Sequence, residues 1–197
     1  MNPTRLLEIL SVAEKLKCNT RHCWTSTGRH ESVAEHSWRL AFFAMLMRDE
    51  FPGLDIDRVI QMCLIHDLGE AFTGDIPSFL KTDSDVLDED RRLFDWVSTF
   101  PDPYRGSFTE LLLEMNALET PEAMLYKALD NLEAVIQHDE SDISTWLPLE
   151  YDLQFTYGTD KIAFSPYLRA LREEIDNVTR RKIAEAGGKP DIRSTDG

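Results

Sequence analysis

The chain is poor in several things, and each shortage narrows what it can be. Cysteine occurs only at Cys18, Cys23 and Cys63, with no C-x-x-C pair, which predicts reduced thiols and a cytoplasmic protein. Basic residues are outnumbered: 21 Lys and Arg face 36 Asp and Glu, a net charge of −15. Nucleic-acid backbones and anionic membranes attract basic surfaces, so neither is an expected partner. A phosphate can still bind an acidic protein where a local cation compensates. No apolar run approaches the roughly 18–20 residues of a membrane span. The opening MNPTRLLEIL reads as an amphipathic helix and lacks the parts of a signal peptide. There is no convincing alternating strand pattern, no internal repeat and no low-complexity block. Histidine is sparse, with five residues and none between positions 68 and 129.

What remains is ordinary globular material. Hydrophobic residues make up 42% and charged ones 29% of 197 residues, enough for one domain with a sizeable core. The periodicity predicts six or seven helices with short connections, an all-α domain. Thr4 caps a first helix over about 4–17, with Leu6, Leu7, Ile9, Leu10, Ala13 and Leu16 as its apolar face. Residues 18–31 read as a polar loop. Ser32-Val33-Ala34-Glu35 is a capping box that opens a helix to about Glu50. Further helices are expected over about 57–73, 85–100, 104–118, 121–138 and 165–186, two of them announced by Thr120-Pro121 and Ser165-Pro166. Residues 139–164 suggest a packed irregular segment or a short helix. The domain is expected to cover 1–188, with 189–197 a mobile tail.

The chemistry gathers at Ile65-His66-Asp67-Leu68-Gly69-Glu70. An imidazole and two carboxylates sit there in an otherwise apolar segment. On a continuous helix at about 100° per residue, His66 and Glu70 share a stripe with Val59, Met62 and Cys63, and Asp67 lies roughly 100° away. An ionised carboxylate buried there is costly unless it is paired or bound to a metal. A structural polar network and a site both satisfy that requirement. His36 shares the inward stripe of Val33, Leu40, Phe43 and Met47. Asp130 is placed by its phase opposite the stripe of its helix, near Ala123, Tyr126 and Ala134. The set His36, His66, Asp67 and Asp130 mixes nitrogen and oxygen donors. It suits one divalent transition metal (Mn, Co, Fe, Ni or Zn) better than Ca or Mg.

His36, then His66-Asp67, then a downstream Asp130 resembles the pattern of the HD-domain metal-dependent phosphohydrolases. Glu31-Ser32-Val33-Ala34-Glu35-His36-Ser37, His66-Asp67-Leu68-Gly69-Glu70 and Thr73-Gly74-Asp75-Ile76-Pro77 look like the bacterial 5′-deoxynucleotidases and their eukaryotic relatives, over roughly residues 5–140. The resemblance implies an all-α, homodimeric enzyme that hydrolyses (deoxy)ribonucleoside 5′-monophosphates by attack of a metal-bound water. It implies His36, His66, Asp67 and Asp130 as metal ligands. Glu70 is then the acid–base residue, Asp75 assists it or binds the sugar, and Asp75-Ile76-Pro77-Ser78 forms a ribose wall. Arg21 stands where the family places a phosphate-orienting arginine, and Arg29 is a second candidate. The bacterial members carry Trp directly after that arginine; here the residue is His22, with Trp24 the aromatic that could stack on a base or ribose. Di-iron relatives need extra histidines between the His-Asp pair and the last Asp, and 68–129 has none, which favours a mononuclear hydrolytic site. Another phosphoester substrate (a dNTP or a phosphorylated metabolite) and a noncatalytic metal- and nucleotide-binding domain are the alternatives.

Overall fold

The computed structural model describes residues 1–188; the expected tail at 189–197 lies outside them. The described residues are mainly helical, as the all-α reading requires. In order they form α1 (Pro3–Ala13), a 3-10 turn (Glu14–Lys17), β1 (Thr20–Trp24), β2 (His30–Ser32), α2 (Val33–Leu46) and α3 (Ile56–Ile65). Then come α4 (Glu70–Thr73), α5 (Asp83–Ser98), α6 (Tyr104–Ala117), α7 (Pro121–Glu140), a second 3-10 turn (Ile143–Thr145), α8 (Glu150–Thr156) and α9 (Pro166–Glu185).

Local chemistry accounts for most of these boundaries. The Ser32 hydroxyl accepts from Glu35 N–H while Glu35 returns a carboxylate to Ser32 N–H, the reciprocal cap that starts α2. Thr82 and Asp85 form a second such box and start α5 two residues earlier than the periodicity suggested. The Thr120 hydroxyl accepts from Ala123 N–H at the start of α7. Ser165 accepts from Leu168 N–H ahead of Pro166 at the start of α9.

Several expectations are corrected. The first helix is capped by Asn2, whose side chain accepts from Thr4 N–H, and it tightens to 3-10 after Ala13. None of its residues is buried; Leu6, Leu7 and Leu10 are exposed, and only Leu16 of the expected face is in the core. The polar loop at 18–31 contains a two-stranded hairpin. Thr25 N–H donates to the Arg29 carbonyl at 2.7 Å, and Gly28 takes φ +80° in the turn. α2 ends at Leu46 rather than Glu50, where Met47 and Glu50 bond three residues back as the chain approaches Pro52.

The largest correction falls on the segment expected as one helix over 57–73. α3 ends at Ile65, and residues 66–69 form successive turns before α4. Leu68, Glu70, Ala71 and Phe72 all donate to the carbonyl three residues back. Tightening of this kind brings i and i+3 into line. Asp67 and Glu70 are therefore on one side, and the stripe expected for His66 and Glu70 is broken. Gly74 ends α4 with φ +78° and ψ 167°, a conformation only glycine adopts freely.

The chain packs as two compact units. Among the described residues the first comprises 1–22 and 30–127, the second 23–29 and 128–188. In the first, Val33, Leu40, Ala44, Val59, Met62 and Cys63 bring α2 against α3 in a solvent-free core. In the second, Ile162, Leu168 and Ile175 are buried, and Arg172 donates to the Tyr157 carbonyl, tying α9 to the end of α8. α7 runs from the first unit into the second.

Candidate active site

Two imidazoles and a carboxylate converge in the first unit. His36 comes from the first turns of α2 and is fully buried. His66 follows the last residue of α3, and Asp67 opens the tight turn. His36 Nε2 and His66 Nε2 are 3.2 Å apart, and His66 Nε2 lies 3.0 Å from Asp67 Oδ2. His36 Nε2 is 3.9 Å from the same oxygen. On its other edge His66 Nδ1 is 2.9 Å from the Cys63 carbonyl. A carbonyl only accepts, so Nδ1 can donate to it, and Nε2 is the nitrogen that faces His36 and Asp67. The Tyr126 ring packs 5.9 Å from the His66 ring, centroid to centroid.

Two imidazole nitrogens and a carboxylate oxygen that meet in this way suit a shared cation. Donors bound at about 2.0–2.2 Å to one ion lie roughly 3–3.5 Å apart, and two of the three separations are in or near that range. The three side chains form a group able to hold a metal ion. Glu70 gives an independent sign. It is buried, and its Oε2 has no hydrogen-bond partner within the described residues. Burial pushes its carboxyl up to about 10, with further push from Asp67, Asp75 and Glu89 and opposition from Lys81. A bound divalent cation beside such a cluster removes the repulsion.

The neighbouring residues are placed as follows. Asp75 is half-buried; burial raises its carboxyl above the ordinary range, Arg21 opposes this, Asp67 adds to it, and a hydrogen bond from His22 N–H opposes it again. Arg21 is fixed by Glu31, with Nη1 3.0 Å from Oε2 and both side chains largely covered. The His22 ring meets the Phe79 ring edge-on at 5.7 Å. Ile76 and Pro77 are half-buried and Ser78 is exposed. Trp24, Arg29 and Asp130 belong to the second unit. There Trp24 is half-buried, its carbonyl accepting from Gln137, and Arg29 is exposed. Asp130 is buried, although its phase set it opposite the apolar stripe of α7.

Three residues that sequence reasoning missed act on the same turn. Asn19 Nδ2 donates to the Glu70 carbonyl at 2.6 Å, and the Asn19 carbonyl accepts from Val33 N–H at the start of α2. Lys81 Nζ pairs with Glu89 Oε2 at 2.6 Å. A signal was present: Lys81 is the one lysine between Lys17 and Lys127, and it heads the acidic run that continues to Asp90.

Residues 13–172 match the family model of the HD domain. The chain belongs to the HD domain family. It is 28% identical over 190 residues to human 5′-deoxynucleotidase HDDC2, covering 94% of this chain and 91% of that protein. It is 27% identical over 167 residues to the 5′-deoxynucleotidase hdd1 of Schizosaccharomyces pombe, covering 74% and 83%. Among solved structures, a predicted metal-dependent phosphohydrolase of Magnetospirillum magnetotacticum shares the fold, with a TM-score of 0.73 and 24% identity over 94% of this chain and 97% of that one. A conserved hypothetical protein of Pyrococcus furiosus gives a TM-score of 0.61 and 28% identity over 88% and 99%.

Proposed function

We propose that this HD-domain protein is a metal-dependent phosphomonoesterase that hydrolyses (deoxy)ribonucleoside 5′-monophosphates to nucleoside and phosphate. The observation that carries the reading is the meeting of His36 Nε2, His66 Nε2 and Asp67 Oδ2 beside the orphaned carboxylate of Glu70. Relatives named 5′-deoxynucleotidase that match over most of their length support the substrate class.

His36, His66 and Asp67 would hold the ion, and Asp130 is assigned as fourth ligand from the family pattern, supported by its burial. The donor set fits Mn, Co, Fe, Ni or Zn. When bound, a divalent ion supplies Lewis acidity toward the phosphate and lowers the pKa of water. The chain's own groups do the rest. The reaction forms a bond from water oxygen to phosphorus, breaks the bond from phosphorus to the 5′ oxygen, and moves a proton to that oxygen. Glu70 is the proton carrier. Its surroundings favour the protonated form, which suits donation to the leaving oxygen, and a cation beside it shifts it toward the range where it also takes a proton from water.

Asp75, one turn beyond, positions Glu70 or the sugar, and Asp75-Ile76-Pro77-Ser78 forms the ribose wall. Arg21, oriented by Glu31, is the phosphate clamp, since a guanidinium can grip two phosphate oxygens. Trp24 is assigned base or ribose stacking and Arg29 a second phosphate cation, both from the resemblance. Cys18, Cys23 and Cys63 form no disulfide among the described residues, which supports a cytoplasmic setting, and no helix among the described residues is long and apolar enough to cross a membrane.

A homodimer is supported by one surface. Trp38, Phe42, Met45 and Leu46 form an exposed stripe on α2, 66%, 49%, 55% and 60% accessible. The Trp38 and Phe42 rings stack at 6.2 Å. Sedimentation of the wild type and of Trp38→Glu checks this: a dimer that becomes a monomer is expected, and equal masses would remove this face from the account.

The activity is tested by phosphate release from a panel of deoxyribo- and ribonucleoside monophosphates, dNTPs and sugar phosphates, each with Mn, Co, Zn and Mg. Monophosphates are expected to be preferred. Turnover of dNTPs alone would redirect the substrate, and tight nucleotide binding without turnover under every metal would make the protein a binding domain.

A further inference from the structure

The turn that carries Asp67 and Glu70 has an external support. Gly69 sits in the turn with φ −59° and ψ −34°, a conformation open to any residue. Glycine is therefore needed there for space, not for backbone freedom. A Cβ built on Gly69 would lie 2.5 Å from Glu89 Cγ and 3.2 Å from its Oε1. The Glu89 side chain, coming from α5, occupies the volume a side chain at 69 would fill. Its tip is held by Lys81, 2.6 Å away, with 23% and 13% of the two side chains exposed. The Lys81 ammonium acts on Glu70 and Asp67 as well as on Glu89. Lys81 is itself anchored by its N–H on the Pro77 carbonyl at 3.0 Å, just beyond the Asp75-Ile76-Pro77 segment.

We propose that the Lys81–Glu89 pair is a positioning strut for the reaction, pressing Glu89 onto Gly69 and so fixing the turn that presents Asp67 and Glu70. An exposed ion pair is screened and contributes little; this one is mostly covered and bears on backbone. In this role Lys81 and Glu89 act through Asp67 and Glu70. The kinetic consequence rests on the phosphohydrolase reading, while the structural consequence does not. Partners that orient metal ligands from outside the ligand set typically matter by roughly 10–100-fold in metal affinity or activity.

The test uses the full chain as wild type, Lys81→Met, Lys81→Arg and Glu89→Gln. Three quantities are measured: kcat and KM for phosphate release from dAMP with Mn2+, Mn2+ affinity without nucleotide, and amide hydrogen exchange over residues 66–72 against the α6 core at 111–115. Lys81→Met and Glu89→Gln are expected to lower kcat and weaken Mn2+ binding roughly 10-fold or more. They should speed exchange at 66–72, leaving KM and the α6 amides as in the wild type. Lys81→Arg should retain most of all three. A rise in KM with kcat intact would make Lys81 a direct phosphate contact and overturn the proposal. So would unchanged kcat, Mn2+ affinity and exchange, or exchange that rises equally in α6. A wild type that releases no phosphate from any nucleotide would sink the functional reading instead, with Mn2+ affinity and exchange still deciding the strut.

Discussion

The helix that delivers His36 and the turn that delivers His66, Asp67 and Glu70 reach the same site by different means. α2 is pinned at its start by the Ser32–Glu35 box, and regular i→i−4 bonding carries its phase to His36, which is buried as that phase requires. The second delivery ends one helix, bonds three residues back, and starts another. Local rules suffice for the first. The second depends on what packs around it: the Asn19 amide on the Glu70 carbonyl, and Glu89 against Gly69. A regular element places one ligand at little conformational cost, whereas adjacent ligands with an acid–base group need a bent backbone and outside support.

Loss of the shared residues should be the most damaging change. His66→Ala or Asp67→Ala is expected to abolish both Mn2+ binding by calorimetry and phosphate release, while helical content by circular dichroism persists. Activity that survives in a variant unable to bind metal would end the comparison, because the two deliveries would then not serve one site.

Glu70→Gln comes next. It should lower kcat by roughly 10²–10⁴-fold with Mn2+ and nucleotide binding near wild type. It also carries a pH signature in metal-free protein. The Glu70 carboxyl is raised in the fold, mainly by burial, from an ordinary 4.5 to about 10. The folded state thus keeps a proton that the unfolded state releases above about 4.5, so stability falls as pH rises from there toward about 10. Urea unfolding across that range should show this slope in the wild type and lose it in Glu70→Gln or with saturating Mn2+. Parallel curves for wild type and variant would show that Glu70 titrates normally.

How much of this was legible follows the same division. His36 was, because a capping box sets a helix origin and the phase follows. The identities of His66, Asp67 and Glu70 were legible as polar groups in an apolar run; their mutual geometry was not, since a change from four-residue to three-residue bonding leaves no mark on composition. The hairpin at 20–32 was hidden because Arg21, His22 and Glu31 break any apolar alternation, and two short strands give periodicity little to work with. Asp130 was misjudged by phase because α7 is covered around much of its circumference, with Asn131, Glu133 and Gln137 buried alongside Leu125, Leu129 and Leu132. Phase finds a boundary only on a helix that has a solvent side. Lys81 and Glu89 escaped because their importance lies in tertiary contact with a glycine.

Gly69→Ala should damage the turn without removing a charged group. The added methyl must displace Glu89 or shift the backbone, an overpacking cost of about 1–3 kcal/mol, read as a lower midpoint in urea together with reduced kcat. Retention of both would mean that Glu89 moves aside freely and that the turn holds itself.

Ser32→Ala is the gentlest intervention and the sharpest contrast. It removes one half of the capping box, 3.3 Å from Glu35 N–H, and should cost about 1 kcal/mol of stability. The Glu35 carboxylate keeps its bond to Ser32 N–H at 2.9 Å, and the α2 ladder beyond the first turn is untouched. His36 is the fourth residue of α2, where an N-cap residue's carbonyl, which the substitution keeps, accepts the first intrahelical bond, so kcat and Mn2+ affinity should stay within about twofold of wild type. Equal destabilisation from Gly69→Ala and Ser32→Ala, with activity lost only in the former, would separate the two modes of delivery. Activity lost in both would mean that the helix start, too, needs its cap to hold a ligand in place.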